Sequence, residues 1–141
     1  MARTILLPID LSDPHSWQAA LPEALTLVGQ DGTLHVVSVL PDFGLAQVGT
    51  FFGKDFEKQA LHEFGARLVD WVGAHIPQGV DVHPHVLHGT IYDEILRATD
   101  KLKVDVIVMG AHRPALQDYL LGPNAARVVR HARCSVYVVR G

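Results

Sequence analysis

The stretch VDVIVMGAHRPALQDYLLGPNAARVVRHARCSVYVVR, residues 104–140, decides the fold. It opens with the apolar run Val104–Gly110, passes through a polar loop, and then shows helical spacing from about Asn124 to Ala132. A second apolar run, Cys134–Arg140, follows directly. Apolar runs of this length are typical of strands that are buried on both faces of a parallel sheet. The stretch therefore predicts a strand–helix–strand unit.

The same alternation of strands and helices runs through the rest of the chain. Thr4–Ile9 and Leu34–Leu40 are further buried-strand candidates, and Val80–His88 alternates like a strand. This third candidate contains Pro84, which cannot donate to a strand ladder and so predicts a sheet edge. Five strands alternating with helices predict one α/β domain over residues 1–141, with a mainly parallel sheet and right-handed crossovers.

Helix starts are marked by their capping residues. Asp13 and Pro14 predict a helix that runs to Gly29, with a kink or break at Pro22. Lys54–Ile76 is predicted as a long helix. Another helix is predicted after Thr90, whose spacing to Asp93 is that of a capping box.

The segment Pro41–Gly53 contains three glycines and no steady hydrophobic period. It is predicted as a loop, longer than a compact domain usually spends on one connection. Two interpretations stay open: a lid over a binding site, or a surface insertion with its two phenylalanines tucked onto the body.

Composition excludes several classes of protein. The 141 residues are 48% hydrophobic and 19% charged, with a net charge of −3, which argues against disorder and against nucleic acid or an anionic membrane as a partner. No apolar stretch has the length of a transmembrane helix, and the start of the chain is predicted as a first strand. The single Cys134 excludes an internal disulfide. A cytoplasmic location is expected.

The polar loop within residues 104–140 is the candidate binding site. Ligands of parallel α/β sheets bind beyond the carboxyl ends of the strands. Gly110 ends a strand there, and Gly122-Pro123 opens a helix, whose free amides and dipole favour an anion. His112 and Arg113 add donors from the loop. Either a phosphate is held between the two glycines, or the glycines serve only a turn and a helix start while Arg113 is solvated.

The same segment resembles the signature of the universal stress protein family. That signature is a glycine, two residues, a second glycine, about nine residues, and then Gly-Ser or Gly-Thr before the last helix. The first strand ending in PID, the second containing SV, the segment HGTIYDEI and the closing RHARCSVYVVR are similar to the family as well. The resemblance is strongest to small bacterial members whose loop contains HRP, YLLG and NAA.

The resemblance implies a Rossmann-like sheet with strand order 3-2-1-4-5 and helices on both faces. It implies binding of ATP, or of ADP or AMP, possibly with Mg²⁺. Adenine would lie near Pro8, Ile9, Asp10 and the backbone of Val39, and Asp10 would contact the ribose or, indirectly, a metal. Further implied contacts are the ribose on Met109 and Gly110, and the phosphates on Arg113, Gly122, Pro123, Asn124 and Ala125. It also implies a homodimer that pairs through Cys134–Arg140, with a tetramer left open.

The chain departs from the family pattern at two positions. Arg113 stands where the family has its second glycine, and could replace a close backbone contact by a charged one. Pro123 replaces the usual Ser or Thr, which removes a hydroxyl and an N–H from the phosphate site. Each lost hydrogen bond to a charged group costs roughly 1.5–3 kcal/mol. Asn124 could compensate through its side-chain amide.

The sequence predicts a nucleotide-binding regulatory protein whose occupancy by ATP controls its conformation or its affinity for a partner. The alternative is an interaction module without nucleotide that docks on a transporter or an enzyme. A slow ATPase or self-phosphorylating enzyme is the third hypothesis, and its only candidate base is Asp10. His83 and His85, which share one face of an edge strand, allow a metal site, although an exposed polar strand face is the commoner explanation.

Overall fold

The computed structural model describes residues 2–40, 42–111 and 122–141, and of residues 42–56 the backbone alone. Within these ranges five parallel strands alternate with four α-helices, in the strand order β3-β2-β1-β4-β5. The elements are β1 (Thr4–Pro8), α1 (Ala20–Val28), β2 (Thr33–Leu40), α2 (Asp42–His75), β3 (Asp81–His88), α3 (Ile91–Lys101), β4 (Val106–Gly110), α4 (Pro123–His131) and β5 (Ser135–Val139). The predicted fold class and strand order are confirmed.

Two hydrophobic layers lie on opposite faces of the sheet. In β1, the central strand, Ile5 and Leu7 pack under α1 and α2, whereas Leu6 packs under α3 and α4. All three side chains are 0% exposed. Burying a side chain of this size contributes about 1.5–3 kcal/mol to the free energy of unfolding. Residues of β1 therefore stabilise the packing on both faces of the sheet.

The two outer strands are β3 and β5, as the sequence predicts. Pro84 lies opposite Val36 in the β2–β3 register, on a strand whose other side is the sheet edge. A proline is tolerated there because an edge strand needs donors on one side only. Among the described residues, no helix is long and apolar enough to cross a membrane.

The first helix begins later than the sequence predicts. Asp13 accepts a hydrogen bond from the His15 amide and caps a short 3-10 turn, Pro14–Ser16. The α-helix itself starts at Ala20, so Pro22 lies in its first turn, where the missing N–H breaks no helical bond. The predicted break at Pro22 is therefore wrong, because the interruption precedes that proline.

The loop predicted for Pro41–Gly53 is also wrong, because α2 already begins at Asp42. Each glycine in a helix costs about 1 kcal/mol relative to alanine. Extending a helix that has already formed avoids the larger cost of nucleating one, so the downstream helix tolerates three glycines at this end. The lid interpretation depended on a loop and falls with it.

The capping box predicted at α3 forms only in part. Thr90 is the N-cap residue, with extended backbone angles, but its side chain makes no capping hydrogen bond. The acidic residues Asp93 and Glu94 lie in the first turn, where the helix dipole favours negative charge. Position and charge, rather than a reciprocal side-chain bond, mark this helix start.

Candidate functional site

A cavity of about 750 Å³ lies at the carboxyl ends of β1, β2 and β4. Carboxyl ends of parallel strands share one edge of the sheet, and the winding of this chain reverses between β1 and β4. The lining residues come from these strand ends, from the segment after β1, and from α2, α3 and α4. They are Pro8, Ile9, Asp10, Leu11, Ser12, Ser16, Val37, Val39, Leu40, Phe64, Arg67, Ile91, Ile95, Met109, Gly110, Ala111, Gly122, Pro123, Asn124 and Ala125.

Ten of the twelve residues predicted for the site line this one cavity. They are Pro8, Ile9, Asp10, Val39, Met109, Gly110, Gly122, Pro123, Asn124 and Ala125. The other two, His112 and Arg113, lie outside the described residues. The structure thus brings together residues that are more than 100 positions apart in the chain. The role of each residue in binding stays a prediction.

Sequence reasoning missed the contributions of α2 and α3. Phe64 and Arg67 reach the cavity from α2, and Ile91 and Ile95 reach it from α3. The helical spacing of Phe64 indicates a core position, and no motif distinguishes Arg67. The only usable signal was topological, because the start of α3 and a stretch of α2 lie at the same sheet edge as the strand ends.

Asp10 is held in place by the turn that follows β1. Its Oδ1 accepts hydrogen bonds from the Ser12 amide at 2.9 Å and from the Ser12 hydroxyl at 2.7 Å. The Asp10 amide donates to Ser16 Oγ at 2.8 Å. Asp10 Oδ2 accepts no hydrogen bond from the residues that the structure describes. One carboxylate oxygen therefore anchors the turn, and none of the described residues donates to the other.

A buried serine ties the end of β1 to β2. Ser38 is 1% exposed, and its hydroxyl donates to the Ile9 carbonyl oxygen at 2.9 Å. The Ile9 amide donates to the Val37 carbonyl oxygen at 2.8 Å. Both bonds extend the pairing past the last residue of β1, so the wall of the cavity at Ile9 and Asp10 is fixed by the sheet itself.

The N-terminus of α4 faces the cavity with amides that have no acceptor within the helix. Gly122 is the N-cap residue, makes no side-chain cap, and is followed by Pro123 at the first helical position, as predicted. The first helical hydrogen bond runs from the Ala126 amide to the Gly122 carbonyl oxygen. The amides of Asn124 and Ala125 therefore have no acceptor within the helix. Donors of this kind, together with the helix dipole, suit an anion.

Gly110 and Gly122, which bracket the predicted polar loop, differ in their structural surroundings. Gly110 does not need a positive φ, which among the described glycines is found at Gly29, Gly79 and Gly89. A Cβ on Gly110 would lie 3.0 Å from the carbonyl oxygen of Ser16, so β4 packs closely against the 3-10 turn. A Cβ on Gly122 would meet none of the described residues within 4 Å. Described protein atoms therefore fill the space beside Gly110 but not the space beside Gly122.

The histidines at the opposite end of the sheet form a separate cluster. His35 Nδ1 and His85 Nε2 share a hydrogen bond of 2.9 Å, and His83 Nε2 lies 2.9 Å from Asp81 Oδ1. Burial first, and then the neighbouring imidazoles, lower the pKa of His35. Burial, His83 and Lys101 likewise lower the pKa of His85. In the part of the chain that the structure describes, no cluster of three or more His, Cys, Asp or Glu is arranged to hold a metal ion.

Comparison with known proteins agrees with this architecture. Residues 1–140 match the model of the universal stress protein family. Universal stress protein G of Salmonella typhimurium is 34% identical over 142 residues, which cover 99% of this chain and 100% of that protein. The solved structure of MJ0577 superposes with a TM-score of 0.82 at 20% identity, covering 100% of this chain and 97% of that one.

Two further solved structures were determined with nucleotides. A universal stress protein in complex with cAMP has a TM-score of 0.61 at 20% identity, with 97% of this chain and 95% of that chain covered. The Arabidopsis thaliana protein At3g01520 with AMP bound has a TM-score of 0.65 at 17% identity, with 98% and 91% covered. At these identities the structures show a shared fold, and the family match rests on the sequence comparisons. The chain belongs to the universal stress protein family.

Proposed function

We propose that this chain is an adenine-nucleotide-binding regulatory protein whose nucleotide occupancy controls its conformation or its affinity for a partner. The observation that carries the proposal is the cavity at the carboxyl edge of the sheet. It combines an apolar wall with an available carboxylate oxygen on Asp10 and two amides without helical acceptors on Asn124 and Ala125. Apolar lining with a few convergent polar groups is typical of a small-molecule site.

The parts of the cavity match the parts of a nucleotide. Val37, Val39 and Ile95 supply an apolar surface for a base. A carboxylate such as that of Asp10 accepts hydrogen bonds from ribose hydroxyls, as acidic residues do in other nucleotide-binding α/β folds. The N-terminus of α4 would receive a phosphate. Structural relatives crystallised with AMP and with cAMP support adenine as the base.

Binding is tested with purified protein in two ways. Acid denaturation followed by chromatography identifies any adenine nucleotide that co-purifies. Titration with AMP, cAMP, ADP and ATP, each with and without Mg²⁺, should raise the melting temperature. Saturation at a hundred times the dissociation constant adds about 2.7 kcal/mol of stability. Asp10→Ala should reduce the shift, and Asp31→Ala, in an exposed turn between α1 and β2, is the matched control.

An unmoved melting temperature with every nucleotide, and no co-purified ligand, would favour the interaction module that docks on a transporter or an enzyme. The slow ATPase hypothesis predicts multiple-turnover phosphate release that disappears in Asp10→Ala. We do not favour turnover, because Asp10 Oδ1 already accepts two hydrogen bonds from Ser12 and the carboxylate is oriented as a ligand contact. The titrations with and without Mg²⁺ also test whether a Mg²⁺ ion binds with the nucleotide near Asp10.

The proposal includes a homodimer that pairs through the edge strand β5. Tyr137 is 40% exposed on this strand, and Val106, Val136 and Val138 line a shallow groove beside it. An apolar edge strand favours pairing with another strand. Light scattering should give the mass of a dimer, and Tyr137→Lys should shift it towards the monomer. A wild-type monomer at micromolar concentration would contradict this part of the proposal.

A cytoplasmic location belongs to the same proposal. Burial raises the pKa of the Cys134 thiol, so the single cysteine of the chain is not activated for redox chemistry. Fractionation of cells that express the chain tests the location directly.

A further inference from the structure

We propose that Phe64 and Arg67 of α2 stack on the nucleobase and set the preference of the site for a purine, an inference that rests on the proposed function. Neither residue belongs to the motif at the carboxyl ends of the strands. Both line the cavity, and their spacing of three positions places them on one face of the helix.

Topology places these two side chains at the base end of the cavity. α2 packs against β2 and β3 on the face of the sheet that it shares with α1. α4 packs beside β5 on the opposite face of the sheet. Its N-terminus therefore reaches the cavity from the side of β4 and β5, whereas α2 lies on the side of β2 and β3. A phosphate at α4 therefore leaves the other end of the ligand between β2 and α2.

The surfaces at that end are suited to a flat apolar ring. Val37, Val39 and Ile95 belong to the layer under α3 and form one wall. Phe64 and Arg67 reach the cavity from α2, whose residues Leu68 and Trp71 pack in the layer on the other face of the sheet. Aromatic rings and guanidinium planes are the side chains on which bases stack in proteins. A base lying over the end of β2 would have an aliphatic wall on one side and planar groups on the other.

The bonding of Arg67 leaves it available for this role. Its side chain is exposed, and it makes no ion pair or hydrogen bond with any residue that the structure describes. Phe64 lies one helical turn earlier, is half-buried, and lines the same cavity. Apart from Asp10, Arg67 is the only charged side chain among the described residues that line the cavity. A cation that no described residue pairs, lining the same cavity as an aromatic ring, favours a π-rich ligand.

The test measures dissociation constants of adenosine, AMP and UMP by calorimetry. The variants are Phe64→Leu, which keeps an apolar side chain but removes the ring, and Arg67→Gln, which keeps a helix former but removes the planar cation. Lys58→Gln and Leu61→Ala are the controls, because they lie on the same helix and do not line the cavity. All variants are first compared with the wild type by thermal unfolding without ligand.

If the side chains stack on the base, each variant should bind adenosine about 5- to 100-fold more weakly than the wild type, and AMP more weakly by the same factor. Alanine substitution of a side chain that stacks on a base weakens binding by a similar factor. Stacking also predicts that the preference for AMP over UMP shrinks in Phe64→Leu, a readout that a merely structural role would not move. The controls should bind like the wild type.

Three results would overturn the inference. If Arg67→Gln weakens the binding of AMP but not of adenosine, Arg67 contacts the phosphate instead of the base. Wild-type affinity in both variants would remove α2 from the site while leaving the proposed function intact. Failure of the wild type to bind any adenine compound would reject the proposed function itself, and this inference with it.

Discussion

Replacing Gly110 with alanine tests why the chain carries a glycine at the end of β4. The structure assigns this glycine to protein packing, because an added Cβ would lie 3.0 Å from the Ser16 carbonyl oxygen and 3.3 Å from that of His15. Both atoms are backbone, so neither can swing away as a flexible side chain would. Overpacking of this kind costs about 1–3 kcal/mol. We therefore expect Gly110→Ala to unfold more easily even without any nucleotide.

Urea denaturation of the ligand-free protein measures this cost directly. A loss of about 1–3 kcal/mol corresponds to a fall in melting temperature of roughly 3–15 °C for a domain of this size. The comparison variant is Gly122→Ala, whose Cβ would meet no atom of the described ranges within 4 Å. Gly122 is the N-cap residue of α4, where alanine is a poorer cap, so a loss of about 1 kcal/mol or less is expected there.

Nucleotide affinity should separate the two variants in the opposite sense. The proposed phosphate would lie beside Gly122, in space that no described residue fills, so a methyl group there should weaken AMP binding more than it weakens the fold. If Gly110→Ala keeps wild-type stability without ligand but loses AMP binding, the packing explanation is refuted. The glycine would then serve close approach of the ligand.

Three further substitutions test other contacts. Ser38→Ala should cost about 1 kcal/mol of stability by urea denaturation, because it leaves the Ile9 carbonyl oxygen without its buried donor; an unchanged midpoint would refute this. In the folded protein the pKa values of His35 and His85 are lowered, so the unfolded chain binds protons at a higher pH than the folded one does. The free energy of unfolding should therefore be unaffected at neutral pH and should decrease as the pH drops below about 6.5. His85→Gln should flatten that dependence, and an equally steep profile would contradict it. Pro123→Ser should tighten AMP binding by roughly tenfold by calorimetry, because it returns an N–H and a hydroxyl to the start of α4.

The strands of this fold are predictable from sequence because each is a nearly continuous apolar run. Thr4–Pro8 and Val106–Gly110 need no context to be identified, since burial on both faces leaves no other use for such runs. Pro84 likewise predicts its edge position from the loss of one donor. In these cases one local property excludes the alternatives.

Helix limits were harder to predict because competing local signals have similar energies. Pro14 and Pro22 both read as helix starts or breaks, and only the tertiary structure decides that the first makes a 3-10 turn and the second lies in the first turn of α1. At the start of α2, three glycines favour a loop by a few kcal/mol, and continuation of a helix offsets that preference. Propensity alone does not resolve differences of this size.

The residues of the candidate site also differ in how far the sequence predicts them. Residues at strand ends and at the start of α4 could be predicted, because topology requires that they meet. Arg67 could not be, because an exposed arginine on a helix has no periodicity that distinguishes a ligand contact from a solvated surface. The role proposed for Arg67 depends on which helix packs over β2, and only the assembled fold determines that.

The cavity is also linked to the edge strand by one backbone hydrogen bond. Ala111 lines the cavity, and its amide donates to the carbonyl oxygen of Val139 in β5 at 2.9 Å. A ligand that shifts the end of β4 would therefore act on the strand proposed to pair in the dimer. Coupling between two sites is reciprocal, so pairing of β5 would change nucleotide affinity by the same factor. The proposed regulation by nucleotide needs no moving lid, because one backbone hydrogen bond joins the proposed binding site to the strand of the proposed interface.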